Sequence, residues 1–165
     1  MKKAVIFLMM LFALTGACFA DEINGKVQAV DINANIITIS GIKISAQHAR
    51  LENEADMPII LSAIKVGDFL EVEGAFTGNG LMTAMKIEKD YPGNDKIKGK
   101  IDKIDYNTRE MIIAGVKIKV PQEARLEGPD DMIFQFAQFV PSSYVECKGG
   151  WTGPLEFHAI EVEID

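Results

Sequence analysis

The residues able to do chemistry in this chain are carboxylates, two histidines, a recurring arginine and a few aromatics. Asp31-Ile32-Asn33-Ala34-Asn35 opens like a calcium loop, with oxygen donors at alternate places. Such a loop also needs glycine at its sixth place and a carboxylate at its twelfth. Ile36 and Ile42 stand there instead, so the run reads as a hairpin turn held by side-chain-to-backbone bonds. His48 and His158 have no second His or Cys at ligand spacing, and zinc needs three or four such ligands. Acids gather at Glu127, Asp130 and Asp131, and again at Glu161, Glu163 and Asp165. Calcium is one use for them. The second group alternates with Ile160, Val162 and Ile164, as on the solvent face of a half-buried strand. No metal site is expected.

Arg50 and Arg125 each sit in an Ala-Arg-Leu-Glu tetrad. Each arginine suits an anionic ligand, or an ion pair with the neighbouring Glu52 and Glu127 or with Glu71 and Glu146. Phe76 and Trp151 both precede a Thr-Gly pair. Aromatics beside a barrel groove stack on sugars or bases, or else plug the barrel end. Phe76, Trp151, Arg50 and Arg125 are therefore the candidate ligand-binding residues. There is no Gly-x-Ser-x-Gly, no phosphate loop and no His-Glu-x-x-His. No catalytic residue, cofactor or enzymatic activity is expected.

The elements that position these residues come twice. Ile23, Gly25, Lys26, Asp31, Asn33, Ile39, Gly41, Lys43 and Ile44 recur 74 residues later as Ile97, Gly99, Lys100, Asp105, Asn107, Ile113, Gly115, Lys117 and Ile118. One inserted residue later, Gln47, Ala49, Arg50, Leu51 and Glu52 recur as Gln122, Ala124, Arg125, Leu126 and Glu127. Glu71, Gly74, Thr77, Gly78, Ala84 and Glu88 recur as Glu146, Gly149, Thr152, Gly153, Ala159 and Glu163. The reading is a signal peptide over 1–20, one unit over 21–89, a turn-rich linker over 90–95 and a second unit over 96–165.

Within a unit the hydrophobic period is mostly two. Strands are expected at Ile23 to Val30, Ile36 to Ser40, Ile42 to Ser45, Phe69 to Phe76 and Leu81 to Glu88. Ala49 to Leu51 adds a short one, and Leu61 to Val66 reads as one or two helical turns. Asn79-Gly80 marks a hairpin. The expected fold is all-β: two tandem small OB-like β-barrel units, each of five or six short strands with one short helical insertion. Gly25 and Gly99 are expected where backbones approach closely or where the first strand of each unit bends.

Three further runs carry a resemblance: Leu61-Ser62-Ala63-Ile64-Lys65-Val66-Gly67-Asp68-Phe69-Leu70-Glu71-Val72-Glu73-Gly74, the opening Gly25-Lys26-Val27-Gln28-Ala29-Val30-Asp31, and the closing Ala84-Met85-Lys86-Ile87. They resemble the bacterial domain of unknown function 5666. The second unit departs where Pro141-Ser142-Ser143 replaces Val66-Gly67-Asp68, and where Phe136 and Phe139 replace Leu61 and Ile64. The resemblance implies an exported β-barrel module of unknown role and supplies no catalytic residues.

The first residues give the address. Lys2 and Lys3 precede an apolar run from Ala4 to Ala13, and small residues follow. This is the pattern of a bacterial secretory signal, too short to span a membrane. Cleavage after Ala20 is favoured, giving a periplasmic or secreted protein. The alternative is a lipoprotein anchored through Cys18, although Thr15 stands where lipoboxes carry a Leu-like residue. Removal of the signal takes away two of 17 basic residues and none of 24 acids, moving the net charge from −7 to −9. Such a surface repels phosphate backbones, so nucleic acid is not an expected partner. It also leaves Cys147 as the one cysteine, read as a small buried hydrophobe rather than a reactive thiol. The functional expectation is a protein-binding or scaffolding module of the cell envelope. The alternative is binding of a small ligand, an oligosaccharide or a divalent metal.

Overall fold

The computed structural model describes residues 20–164, the side chain of Asp131 excepted. Most of the expected signal, with Cys18, lies outside the described residues, as does Asp165. The chain is all-β. The first half holds β1 (Asp21–Asp31), β2 (Ile36–Ile39), β3 (Ile42–Ser45), β4 (Arg50–Glu52), β5 (Phe69–Gly78) and β6 (Leu81–Asp90). The second half holds β7 (Asp95–Asp105), β8 (Glu110–Ile113), β9 (Val116–Lys119), β10 (Arg125–Glu127), β11 (Tyr144–Gly153) and β12 (Glu156–Ile164). Helix among the described residues is confined to single 3-10 turns at Leu61–Ala63, Pro129–Asp131 and Phe136–Gln138. None is long and apolar enough to cross a membrane.

Local chemistry explains the elements. Alternation buries Val27, Ile37, Ile39, Ile42 and Ile44 and leaves their neighbours wet, which is the strand period. The β2–β3 turn is Ser40-Gly41, with φ of 45° and 81°. Two successive positive φ values make the primed turn whose twist matches the flanking strands. Ala114-Gly115 repeats it between β8 and β9, with φ of 49° and 82°.

Two separate OB-like barrels are not what forms. The twelve strands make one mixed sheet with solenoid-like stacking. The join is β1, which starts two residues before the expected strand. Its first residues pair antiparallel with β7, Glu22 against Lys98, Ile23 against Ile97 and Asn24 against Lys96. Parallel pairs occur between β3 and β6, β4 and β6, β9 and β12, and β10 and β12. A single apolar cluster runs through both halves, from Ile23 and Leu70 to Ile97, Cys147 and Phe157. The expected helical insertion shrinks to Leu61–Ala63, because Ile64 is already extended at ψ 132°.

Hairpin tips tie the halves together. Gly80 N–H donates to Ala114 O at 2.7 Å, and Leu155 N–H donates to Ser40 O at 2.8 Å. Trp151 Nε1–H donates to Asn24 O at 3.0 Å, and the Tyr144 hydroxyl donates to Asp21 Oδ1 at 2.8 Å. These bonds cross between the halves with buried apolar contact behind them, so the two halves share one packed seam.

Candidate binding groove

An open groove of about 820 Å³ lies in the second half. Its walls are the β7–β8 turn, the approach to and body of β10, and the loop that follows β10. Each wall is held by its own bonds. Asp105 Oδ1 accepts the Asn107 N–H at 2.9 Å and the Thr108 N–H at 3.2 Å, which shapes the turn. Those backbone donors, Thr108 first, hold the Asp105 carboxyl below its ordinary range. The loop after β10 is pinned back on the strand by Phe134 N–H to Leu126 O at 2.8 Å and Gly128 N–H to Met132 O at 2.8 Å. Its 3-10 turn carries a capping box between Gln135 and Gln138.

Aromatics form the floor. Phe134 packs edge-on to Phe139, with centroids 5.6 Å apart, and Tyr106 packs edge-on to Phe136 at 6.1 Å. The Tyr106 hydroxyl donates to Phe139 O at 2.9 Å. Arg109 lies over the Phe136 ring, its Cζ 4.8 Å from the centroid. Its Nε–H donates to Val120 O at 2.9 Å and an Nη2–H to Pro121 O at 3.1 Å. At the rim, Ile133 is 92% exposed.

Of the four residues singled out from sequence, only Arg125 lies on this groove. Its side chain, 65% exposed, pairs with Glu127 at 2.5 Å and Glu161 at 3.4 Å. Arg50 pairs with Glu52 at 3.2 Å, the corresponding arrangement in the first half. Phe76 and Trp151 sit apart from it, at the seam. Phe76 N–H donates to Asp21 Oδ2 at 2.7 Å and Trp151 N–H to Asp95 Oδ2 at 3.0 Å. Trp151 packs edge-on to Phe157 at 4.9 Å. The structure thus does not bring the four together. Tyr106, Arg109 and Phe134 are groove residues that were not among the candidate ligand-binding residues. Their signal was a comparison of corresponding positions, where Ile32, Asn35 and Ile59 stand in the first half.

The acids gather in two groups whose carboxylates lie within 4.8 Å of one another: Glu52, Asp56 and Glu88, and Glu127, Glu161 and Glu163. Cations already thread both. Lys86 reaches Glu88 at 2.5 Å and Glu52 at 3.7 Å. Lys148 reaches Glu161 at 2.7 Å and Glu146 at 3.4 Å. Hydrogen bonding to Glu88 and to Glu161 raises these two lysines. Asp31 Oδ1 accepts the Ala34 N–H at 3.0 Å, as a turn-forming aspartate does. His48 and His158 are exposed. Cys147 is fully buried, and desolvation drives its thiol far upward.

No curated protein and no solved structure matches the chain. Residues 24–88, from β1 to β6, match the Domain of unknown function (DUF5666), the family that the Gly25–Asp31 and Leu61–Gly74 runs resemble.

Proposed function

We propose that this is an exported protein-binding module without enzymatic activity. It is built from two copies of one unit, and the second, divergent copy carries the binding face. The observation that carries this reading is the rim of the groove. Ile133 stands 92% exposed, with Tyr106 at 48%. Large apolar side chains collected around a concavity are a marker of protein contact. The second copy diverges from the first at this place: Tyr106, Arg109, Phe134 and Phe136 replace Ile32, Asn35, Ile59 and Leu61. Export is supported by the start of the fold. Asp21 is the first residue of β1, and its carboxylate accepts bonds from Phe76 N–H and Tyr144 hydroxyl. Cleavage after Ala20 leaves every residue the sheet uses. A lipid on Cys18 would leave only Phe19 and Ala20 between bilayer and sheet.

The test is site-specific photo-crosslinking in intact producing cells. A photoreactive residue at Ile133 is expected to yield one discrete adduct, and the same probe at exposed His48 none. Equal labelling at both sites, or none at Ile133, refutes the reading.

A further inference from the structure

Two cations line the groove, and they differ. Arg125 is spent on Glu127 and Glu161. Arg109 has no carboxylate partner among the described residues; its bonds go to two backbone carbonyls and its face to Phe136. In a mature chain of net charge −9, a half-buried guanidinium left without an acid is unusual. It is also aimed. The carbonyls take Nε–H and one Nη2–H, which leaves the Nη1 and Nη2 end with three donors. That end is the fork that grips a carboxylate with two parallel bonds. The ring beneath fixes the plane, so little side-chain freedom remains to be lost on binding.

The backbone supplies a second indication. Arg109 has φ of 53°, in the left-handed region that favours Gly and Asn. The corresponding residue is Asn35, with φ of 54°. The same turn therefore exists with the residue it prefers, and the second half carries a strained arginine in its place.

We propose that the groove recognises a protein segment bearing one Asp or Glu beside an apolar side chain, the carboxylate on Arg109 and the apolar group against Ile133 and Tyr106. This rests on the binding role assigned to the groove above. The most exposed apolar side chain of the groove, Ile133, is aliphatic, which suits an apolar side chain of a protein segment. The mature charge sets the number of acids. A polyacidic segment would be repelled at long range, whereas a lone carboxylate among neutral residues is drawn by the local cation.

The test pans a random 12-residue phage-displayed library on residues 21–165. The selected peptides are expected to share a single Asp or Glu next to an apolar residue. Changing that acid to its amide, or Arg109→Asn in the protein, is expected to weaken binding at least about tenfold, the loss typical of a charge-assisted bond. Arg109→Asn gives up the bonds to Val120 O and Pro121 O and the Phe136 contact but suits the left-handed backbone as Asn35 does, so the variant should stay folded, read from its circular dichroism spectrum. Peptides that lack an acid, or that bind Arg109→Asn equally well, overturn acidic recognition while leaving the crosslinking result at Ile133 standing. An acidic oligosaccharide bound through Arg109, with no peptide selected, overturns the protein partner. No peptide together with no crosslink at Ile133 overturns the groove itself.

Discussion

Gly25→Ala tests the seam between the halves. A Cβ added at Gly25 would lie 2.7 Å from Ile39 Cγ2 and 2.9 Å from Trp151 Nε1. Ordinary carbon contacts are about 3.5–4.0 Å, so both neighbours must retreat. Ile39 is fully buried and has little room. Overpacking of this kind costs about 1–3 kcal/mol. The indole can yield, but only by releasing its 3.0 Å bond to Asn24 O, which leaves a carbonyl unsatisfied at about 1–3 kcal/mol. Against this, alanine restricts the unfolded chain and returns about 0.4–1 kcal/mol. The net expectation is a loss of about 2–4 kcal/mol. Gly150→Ala is the control, one residue from Trp151 in sequence, where the nearest atom to the new Cβ is Asp95 Oδ2 at 3.9 Å. It should be neutral or slightly stabilising. The assay is urea unfolding followed both by far-ultraviolet circular dichroism and by fluorescence of Trp151, the single tryptophan. Native Gly25→Ala should also emit at longer wavelength as the indole tilts away from its acceptor. If Gly25→Ala falls within about 0.5 kcal/mol of Gly150→Ala, Trp151 is not packed against the first half and the seam is wrong.

Two other outcomes follow from burial. Cys147 sits in β11 between Ile97 of β7 and Val162 of β12 and is fully buried, its thiol pushed far above the ordinary range. Residues 21–165 should therefore resist a thiol-specific chromogenic reagent at pH 8 and react fully in urea; rapid native labelling would show that the strand is not central. Asp95 is raised from its ordinary 3.8 first by burial, with the Trp151 N–H bond and Lys26 opposing. A carboxyl raised in the folded state favours folding when protonated, an advantage complete below pH 3.8 and lost as pH climbs through the raised value. Asp95→Asn keeps an acceptor for Trp151 without the charge. Relative to this variant, wild type should gain stability as pH falls from 7 towards 3.8, read from urea midpoints; a gap that is flat, or that moves the other way, contradicts the burial of Asp95.

The parts of the structure legible in the sequence are those decided locally. Alternation through Ile37, Ile39, Ile42 and Ile44 set the strands, and Gly41 marked the break between two of them, which is a tight hairpin turn where the sequence suggested a bend or bulge. The retreat of Leu61–Val66 to a single 3-10 turn was less legible, since a short apolar run fits helix or extended chain equally well. Pairing was not legible at all. Glu22, Ile23 and Asn24 alternate as any strand does, and nothing in them names Lys96, Ile97 and Lys98 as partners. Two copies of one pattern fit two closed units as well as one joined sheet, and the choice falls to contacts far apart along the chain. The same distance hid the role of Phe76 and Trp151. Aromatics before a turn suit a ligand platform, but Gly99 and Gly25 leave space that these rings fill from the opposite half.

Read this way, the recurrence separates two kinds of position. Gly25 and Gly99, or Arg50 and Arg125, are alike because both halves need the same turn, seam or ion pair. Tyr106, Arg109, Phe134 and Phe136 differ from Ile32, Asn35, Ile59 and Leu61, and at Arg109 the backbone is nevertheless the same, with φ of 53° against 54° at Asn35. Apolar-to-aromatic exchange at Phe134 and Phe136 keeps both positions apolar, packs them on Phe139 and floors the groove. Asn-to-Arg at a left-handed residue costs the fold about 1 kcal/mol, which the bonds to Val120 O and Pro121 O and the contact with Phe136 offset, with no carboxylate partner among the described residues. What those contacts leave over is the Nη1 and Nη2 end of the guanidinium, the part that the proposed acidic partner would engage.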